Sequence, residues 1–231
     1  MGGDPGRGIA HGGSTWWGGC VSEQAPAPTY QDSGNTDIRV RIVEATIDSY
    51  RHHAFHETTP ALVARRAGLS EDEITAHFPV WDGLVMAAVD RWNAERMQHV
   101  HPLMLSHGTV AFLRGIVQEN VADPSLMRVL TALLNVAATP NHPMAPLLHH
   151  EWNKFHHVVM AGLEADIRDG REPATMEPAR GAEQLIALYE GLQMQSMVRP
   201  RMDLLEAFDR AITRLRAGWS HAYTAPVWDL S

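Results

Sequence analysis

Apolar residues along most of this chain recur at intervals of three and four positions, the spacing that places them on one face of an α-helix. From Ile38 onward, no stretch keeps the apolar–polar alternation that a half-buried strand requires. The pattern therefore predicts an all-α protein with about nine helices. Their predicted ranges are 38–53, 60–67, 71–77, 81–100, 107–121, 125–138, 147–169, 179–198 and 201–217.

Proline and glycine mark the predicted helix ends. Pro102 and Pro124 interrupt the middle of the chain, where a proline ring would disrupt a helix. Gly170 follows a long helix at the position where a left-handed residue often closes it. Pro200 ends the penultimate helix, since the residue before a proline avoids the helical region.

The two ends of the chain lack this helical pattern. Residues 1–37 contain nine of the eighteen glycines and several prolines, too little apolar surface to offset the entropy of ordering. We therefore predict a disordered leader over 1–37 and a tail over 218–231. Trp16-Trp17 leaves the role of the leader open between an inert extension, a start codon placed too far upstream, and a contact with a partner.

Composition narrows the class of protein. The 231 residues carry a formal charge of −8, which does not favour a nucleic-acid binder, although only a binding face needs to be positive. Cys20 is the single cysteine, so a disulfide within the chain is excluded. No apolar run approaches the roughly 20 residues that span a membrane. We expect a cytoplasmic protein without a membrane partner.

Residues 58–78 have the signals of a helix-turn-helix. Thr59 is a suitable N-cap and is followed by Pro60 at the first helical position. Gly68 supplies the turn. Ser70 and Glu73 have the spacing of a capping box for the second helix. Two short helices joined in this way are typical of DNA-binding modules.

At this point the chain resembles the TetR/AcrR family of one-component transcriptional regulators. The resemblance rests on Ile42-Val43-Glu44-Ala45 through Tyr50, Thr59, Val63-Ala64, Ala67-Gly68-Leu69-Ser70, His77-Phe78 and Leu84, and more weakly on 185–205. It implies a helix-turn-helix domain at 38–90 and a ligand-binding and dimerisation domain at 91–217. It also implies a homodimeric repressor whose binding to a double-stranded DNA operator is controlled by a small apolar or amphipathic molecule.

The residues expected to face DNA depart from the family pattern. The candidate DNA-binding residues are Arg39, Arg41, Thr59, Ser70, Glu71, Asp72, Thr75 and His77. The recognition helix begins with three acids, Thr75 replaces the family's tyrosine, and Trp81 replaces its lysine. Residues 38–92 hold two more acids than arginines. Acidic side chains near the DNA phosphates remove the electrostatic attraction that supplies most non-specific affinity for DNA. In the major groove, however, Asp or Glu can accept a hydrogen bond from cytosine. The alternatives are changed specificity, or a protein that has lost operator binding and acts through its pocket as a binding module, an antagonist of a related repressor or an enzyme.

Histidines and apolar residues in the C-terminal half suggest a pocket more than a metal site. His149 and His156 are seven residues apart, about 10.5 Å along a helix, which is too far for one ion. We expect no metal and no cofactor, and the sequence contains no nucleophile motif that calls for catalysis. Met and aromatic side chains suit an adaptable apolar cavity, although an ordinary helical core has the same composition. The candidate pocket residues are Met97, Phe112, Ile116, Trp152, Asn153, Phe155, His156, Met160, Gln193 and Met194.

The last predicted helix carries a regular apolar stripe. Leu205, Phe208, Ile212 and Leu215 are spaced three, four and three residues apart. Such a stripe fits either a partner helix or the core of one subunit. The family resemblance favours a dimer interface, to which we also assign Leu185 and Tyr189.

Overall fold

The computed structural model describes residues 30–221, 223 and 224, and in this range the fold is all-α, as predicted. A short 3₁₀ turn, Phe55–Glu57, follows the first helix. The nine α-helices of the described residues are α1 (Tyr30–His52), α2 (Pro60–Ala67), α3 (Glu71–His77), α4 (Trp81–His107), α5 (Thr109–Ala122), α6 (Ser125–Ala138), α7 (Ala145–Arg168), α8 (Pro178–Val198) and α9 (Leu204–Trp219).

Two helices differ from the predicted bounds in ways that matter. The first helix begins at Tyr30, so the predicted leader boundary at residue 37 lies inside α1. Residues 1–29, which include Trp16-Trp17 and Cys20, lie outside the described residues. Helix α4 continues through Pro102 to His107 instead of ending at residue 100. Tertiary packing explains the continuation, because Leu103 and Met104 pack against the core beyond the proline.

The C-terminal boundary also differs from the prediction. Helix α9 ends at Trp219, whose side chain is buried. The indole Nε1 donates to Gln184 Oε1 at 2.8 Å, and the backbone carbonyl accepts from Thr175 Oγ1 at 2.6 Å. The predicted tail over 218–231 therefore starts too early, because an aromatic side chain anchors this end of the helix. Residues 222 and 225–231 lie outside the described part.

The helices form two cores that correspond to an N-terminal and a C-terminal unit. In the smaller core, Ile42 of α1, Val63 of α2 and Ile74 of α3 pack together with the start of α4. The larger core is built from α4 to α9 together with Ile47 and Tyr50 near the end of α1. Gly115 allows a close approach of α5 to α4, since a Cβ there would lie 2.7 Å from Leu103 Cδ1.

Polar contacts join the two units besides the shared helix α4. Arg51 Nε donates to Asp123 Oδ2 at 3.1 Å, which ties the end of α1 to the turn between α5 and α6. Arg128 of α6 donates to the carbonyl oxygen of Arg51 at 3.3 Å. The end of α1 is therefore held by the C-terminal unit.

No single helix among the described residues has the length and apolar character needed to cross a membrane. Helices α5 and α6 meet the two criteria only when taken together, and they are bent by 107° relative to each other.

Candidate functional site

The α2–α3 unit has the local geometry of a helix-turn-helix. Thr59 Oγ1 accepts a hydrogen bond from the Leu62 amide at 3.3 Å. Gly68 has a φ of 62°, in the left-handed region that glycine adopts without strain. Ser70 Oγ accepts from the Glu73 amide at 3.2 Å, and the Ser70 amide donates to Glu73 Oε2 at 2.8 Å. Thr59 and Ser70, predicted to contact DNA, thus cap the two helices in this structure.

Helix α3 turns an acidic face outward. Ile74 is buried in the N-terminal core, which fixes the orientation of the helix. Glu71, Asp72 and Thr75 are consequently exposed. Thr75 Oγ1 is hydrogen-bonded to the Glu71 carbonyl at 3.0 Å. The side that a groove would meet therefore presents carboxylates at the start of α3.

The arginines near this face differ in how far they are engaged within the chain. The Arg39 guanidinium donates to the carbonyl oxygen of His77, which is half-buried, and lies 4.1 Å from the centre of the Phe78 ring. Arg41 is exposed, and its charge is one of the smaller causes that lower the pKa of Glu73, after the backbone and side-chain hydrogen bonds from Ser70. Of these two arginines, Arg41 is therefore the one less engaged within the described part of the chain.

A narrow apolar crevice opens between α6, α7 and α8. Its cavity volume is about 20 Å³, roughly the space of one water molecule, so a ligand would have to move the side chains that line it. The crevice is lined by Met127, Leu130, Thr131, Leu134, Trp152, Phe155, Tyr189, Glu190 and Met194. Three aromatic rings come from two of the helices, and the Phe155 and Tyr189 rings are 6.1 Å apart and tilted by 59°. The walls thus suit an apolar or aromatic ligand.

One carboxyl group interrupts the apolar lining. Glu190 Oε1 accepts a hydrogen bond from Trp152 Nε1 at 3.0 Å. Burial raises the pKa of Glu190 above its ordinary value, and the hydrogen bond from Trp152 partly opposes this. Thr131 Oγ1 is buried on the α6 side and has no hydrogen-bond partner within the described residues. The crevice therefore has polar groups on opposite walls.

A buried polar network lies behind the crevice. The Arg96 guanidinium donates to Asn93 Oδ1 at 2.5 Å and to Asn120 Oδ1. Asn120 Nδ2 donates in turn to Tyr189 Oη at 3.2 Å. Burial is the main cause that lowers the pKa of Arg96 and raises that of Tyr189. Since Arg96 belongs to α4, this network connects the crevice wall with the helix that reaches the N-terminal unit.

The predicted pocket residues divide into three groups. Trp152, Phe155 and Met194, three of the predicted pocket residues, line the crevice. Met97, Phe112 and Ile116 are buried in the C-terminal core away from it, so for them the alternative of an ordinary helical core is the right one. The four remaining residues, Asn153, His156, Met160 and Gln193, are absent from the lining.

These four residues have different environments. Asn153 is exposed, whereas His156 and Met160 are half-buried. Gln193 is buried, and its hydrogen bond to Tyr189 is among the smaller causes acting on the pKa of that tyrosine. Sequence reasoning missed Tyr189 and Glu190 as lining residues, because the α8 pattern marks an apolar face without saying which helix that face meets.

The predicted dimer residues require a correction. Leu185, Tyr189, Phe208 and Ile212 are at most 5% exposed and belong to the core of one chain. These four side chains of α8 and α9 pack on the chain's own helices, since each helix of a bundle turns its most apolar face inward. Leu205 and Leu215 are half-buried and remain candidates for a contact between copies.

The clustered histidines make local contacts in this structure. His149 Nε2 lies 2.9 Å from the Ala137 carbonyl oxygen, and His157 Nδ1 lies 2.6 Å from that of Asn153. Within the described residues, no three side chains of His, Cys, Asp or Glu converge on a point where they could hold a metal ion.

Comparison with known proteins identifies the C-terminal unit by sequence. Residues 108–217 match the family of BetI-type transcriptional repressor C-terminal domains. No curated protein sequence matches the chain.

Solved structures with the same fold cover about four fifths of this chain, between 79% and 84%. A TetR transcription regulator from Haloarcula marismortui has a TM-score of 0.68 and 14% identity over 79% of this chain and 98% of its own. Thermus thermophilus FadR in complex with lauroyl-CoA has a TM-score of 0.57 and 18% identity, over 83% of this chain and 99% of its own. The SmeT–triclosan complex, whose protein comes from Stenotrophomonas maltophilia, has a TM-score of 0.61 and 19% identity, over 84% of this chain and 100% of its own. At these identities the likeness concerns the fold.

Proposed function

Because this chain is a member of the TetR/AcrR family, by the sequence of its C-terminal domain and by its fold, we propose that it is a transcriptional repressor controlled by a small molecule. The observation that carries the proposal is the pairing of a capped, outward-facing α2–α3 unit with an apolar crevice in a separate core. Helix α4 contributes to both cores. Complexes of related folds with lauroyl-CoA and triclosan support a small amphipathic or apolar ligand.

The proposed control works through the wall of the crevice. A ligand between α6, α7 and α8 would displace Tyr189, and with it the hydrogen bonds through Asn120 to Arg96 on α4. Ligand binding shifts the population of conformations only if the ligand binds one of them better. The favoured conformation would space two recognition helices so that they no longer match successive major grooves.

The proposed homodimer uses the outer face of α8 and α9. Leu192, Met202 and Ala211 line a surface groove between these helices, and Arg199, Arg210 and Glu206 are also at its margins. Apolar residues with a charged margin are common at interfaces between copies of a chain. Ala211→Arg should give a monomer by light scattering after size exclusion, whereas Ala94→Arg, at an exposed position of α4, should remain a dimer. A dimer in both variants would place the interface elsewhere.

Operator binding is tested with the DNA upstream of the gene for this protein. We expect a specific shift in fluorescence anisotropy that weakens as salt increases, because phosphate contacts release counterions. Arg41→Ala should weaken binding and lower the salt slope by about 1, the value for one lost phosphate contact. Arg168→Ala, an exposed arginine at the far end of α7, should change neither quantity.

A second function is favoured by the acidic start of α3. Glu71 and Asp72 are exposed at the start of α3, where carboxylates would oppose an approach to DNA phosphates. If a folded dimer gives no specific shift at low or at physiological salt, the repressor proposal fails. The chain would then act through its crevice as a small-molecule-binding module, an antagonist of a related repressor, or an enzyme.

A further inference from the structure

A second apolar surface lies on the N-terminal unit, between α1 and α4. It is an open groove with a cavity volume of about 310 Å³, against about 20 Å³ in the crevice of the C-terminal unit. Val40 and Val43 of α1, Phe78 and Ala87 of α4 supply its apolar side chains, and Val40 is 45% exposed. We call this surface the α1–α4 groove. Exposed apolar surface of this kind often marks a place where another group packs.

The charged side chains at the α1–α4 groove are already engaged within the chain. Arg39 donates to the carbonyl oxygen of His77. Arg91 Nε lies 3.4 Å from Glu44 Oε1 and 2.7 Å from Glu95 Oε1. A phosphate or a charged ligand would compete with these contacts, whereas an aromatic ring can stack on a guanidinium that keeps its partners. The groove therefore favours uncharged aromatic groups.

The N-terminal segment of the same chain carries such groups. Residues 1–29 precede α1, which begins at Tyr30, and lie outside the described residues. Trp16 and Trp17 are the only Phe, Trp or Tyr residues in this segment, and residues 12–22 around them contain no charged side chain. An aromatic side chain of this kind buries roughly 150–250 Å² when it packs. The segment thus supplies two adjacent indoles whose chemistry matches the groove.

The segment is also long enough to reach the groove of its own chain. Tyr30 and Val43 are 13 residues apart, about 20 Å along α1 at 1.5 Å per residue. Another 13 residues separate Trp17 from Tyr30, and they span up to about 43 Å when extended. Because the covalent link raises the local concentration of the indoles, it favours this contact over the same contact with another molecule.

We propose that Trp16 and Trp17 dock in the α1–α4 groove of their own chain. The two indoles cover the exposed apolar surface around Val40 and Ala87, and they hold α1 against α4 beside Phe78, the residue that caps the end of α3. The N-terminal segment thereby contributes to the packing of the N-terminal unit. This inference depends neither on operator binding nor on a ligand in the crevice.

Disulfide capture in the full chain without DNA tests this docking. Cys20→Ser removes the single natural thiol, Gly18→Cys places a thiol beside Trp17, and Val40→Cys supplies the second thiol at the groove. In the control, Arg41→Cys replaces Val40→Cys at an exposed position that does not line the groove and lies one residue farther along α1. A disulfide needs Cα atoms within about 7 Å. We expect copper-catalysed oxidation to form the intrachain disulfide at least about tenfold faster at position 40 than at position 41, because docking raises the local thiol concentration.

Removing the indoles distinguishes docking from tethering. Trp16→Ala together with Trp17→Ala leaves the length of the tether unchanged, and the thiol at position 40 should then react no faster than the control. Electrophoresis without reductant and mass spectrometry of the linked peptides follow the reaction. Equal rates at the two positions, a rate at position 40 that the indoles do not change, or a disulfide that joins two copies overturns the proposal. If the Val40→Cys chain lacks the circular dichroism of the parent, Ala87→Cys on α4 takes its place with the same expected rates.

Discussion

The Asp166 carboxylate secures the start of α5 from the end of α7. It accepts a hydrogen bond from the backbone amide of Thr109 at 2.7 Å and another from Arg171 Nε at 2.7 Å. Arg171 also donates to Asp169 at 2.6 Å. The Asp166 side chain is 3% exposed and that of Asp169 is 52% exposed. Two carboxylates thus share one arginine and differ in burial, which makes them a matched pair for mutation.

Asp166→Ala should be much more destabilising than Asp169→Ala. The first change leaves the amide of Thr109, a fully buried residue, without an acceptor, which costs about 1–3 kcal/mol. Gly108 adds to the effect because its backbone packs so closely on the carboxylate that a Cβ would lie 2.6 Å from Asp166 Oδ1. The second change removes an exposed ion pair, and such pairs contribute little.

Urea unfolding followed by circular dichroism measures both variants against the parent chain. All samples need the same protein concentration, since self-association makes apparent stability depend on it. The slope of free energy against urea should stay unchanged, so that a lower midpoint reports lower stability. Equal losses in the two variants, or a loss below about 0.5 kcal/mol for Asp166→Ala, the range of ordinary surface changes, would refute this account of the α5–α7 contact.

Three further predictions follow from contacts described above. Ser70→Ala should lower the free energy of unfolding by about 1 kcal/mol through loss of the N-cap; an unchanged urea midpoint would contradict this. Ser70 lowers the pKa of Glu73 below its ordinary 4.5, first through its backbone amide and then through its hydroxyl, so the contribution is present above that pH and is lost as pH falls through the lowered value. Ser70→Ala keeps the amide and should lack only the smaller, hydroxyl-dependent part of the acid sensitivity in unfolding measured from pH 6 to 3. Tyr189→Phe leaves the buried amide of Asn120 without its acceptor and should cost about 1–3 kcal/mol in urea unfolding; no loss would mean that this bond is weak. Glu71→Gln should raise affinity for mixed-sequence DNA at low salt, because it removes a negative charge from the exposed start of α3; unchanged anisotropy titrations would place this residue away from the phosphates.

Local signals in the sequence were sufficient for the α2–α3 unit. Its helix bounds, 60–67 and 71–77, agree with the structure because N-caps and a left-handed glycine act within a few residues. The continuation of α4 past Pro102 was not predictable in this way. It depends on core contacts with helices far along the chain, which override the local effect of the proline.

The crevice could be predicted only in part, for a similar reason. Trp152 and Phe155 were identified from the composition of α7. Glu190 was missed because its importance comes from a hydrogen bond to a residue 38 positions away. Tyr189 was assigned to the dimer interface through the family resemblance, because the sequence does not show that its side of α8 meets α6 and α7 of the same chain.

The length of α4 has a mechanical consequence. The helix joins the two cores as a single rod, with Leu84 in the N-terminal core and Val100 in the C-terminal core. Trp81 is the first residue of α4, and Arg96 lies behind the crevice. At a rise of 1.5 Å per residue, the two are about 22 Å apart along the helix axis. If the rod pivots near Arg96, a tilt of about 5° moves the Trp81 end by ~2 Å over that length. The α4 rod thus amplifies a small rotation at the crevice into a displacement beside α3 comparable to the radius of an atom.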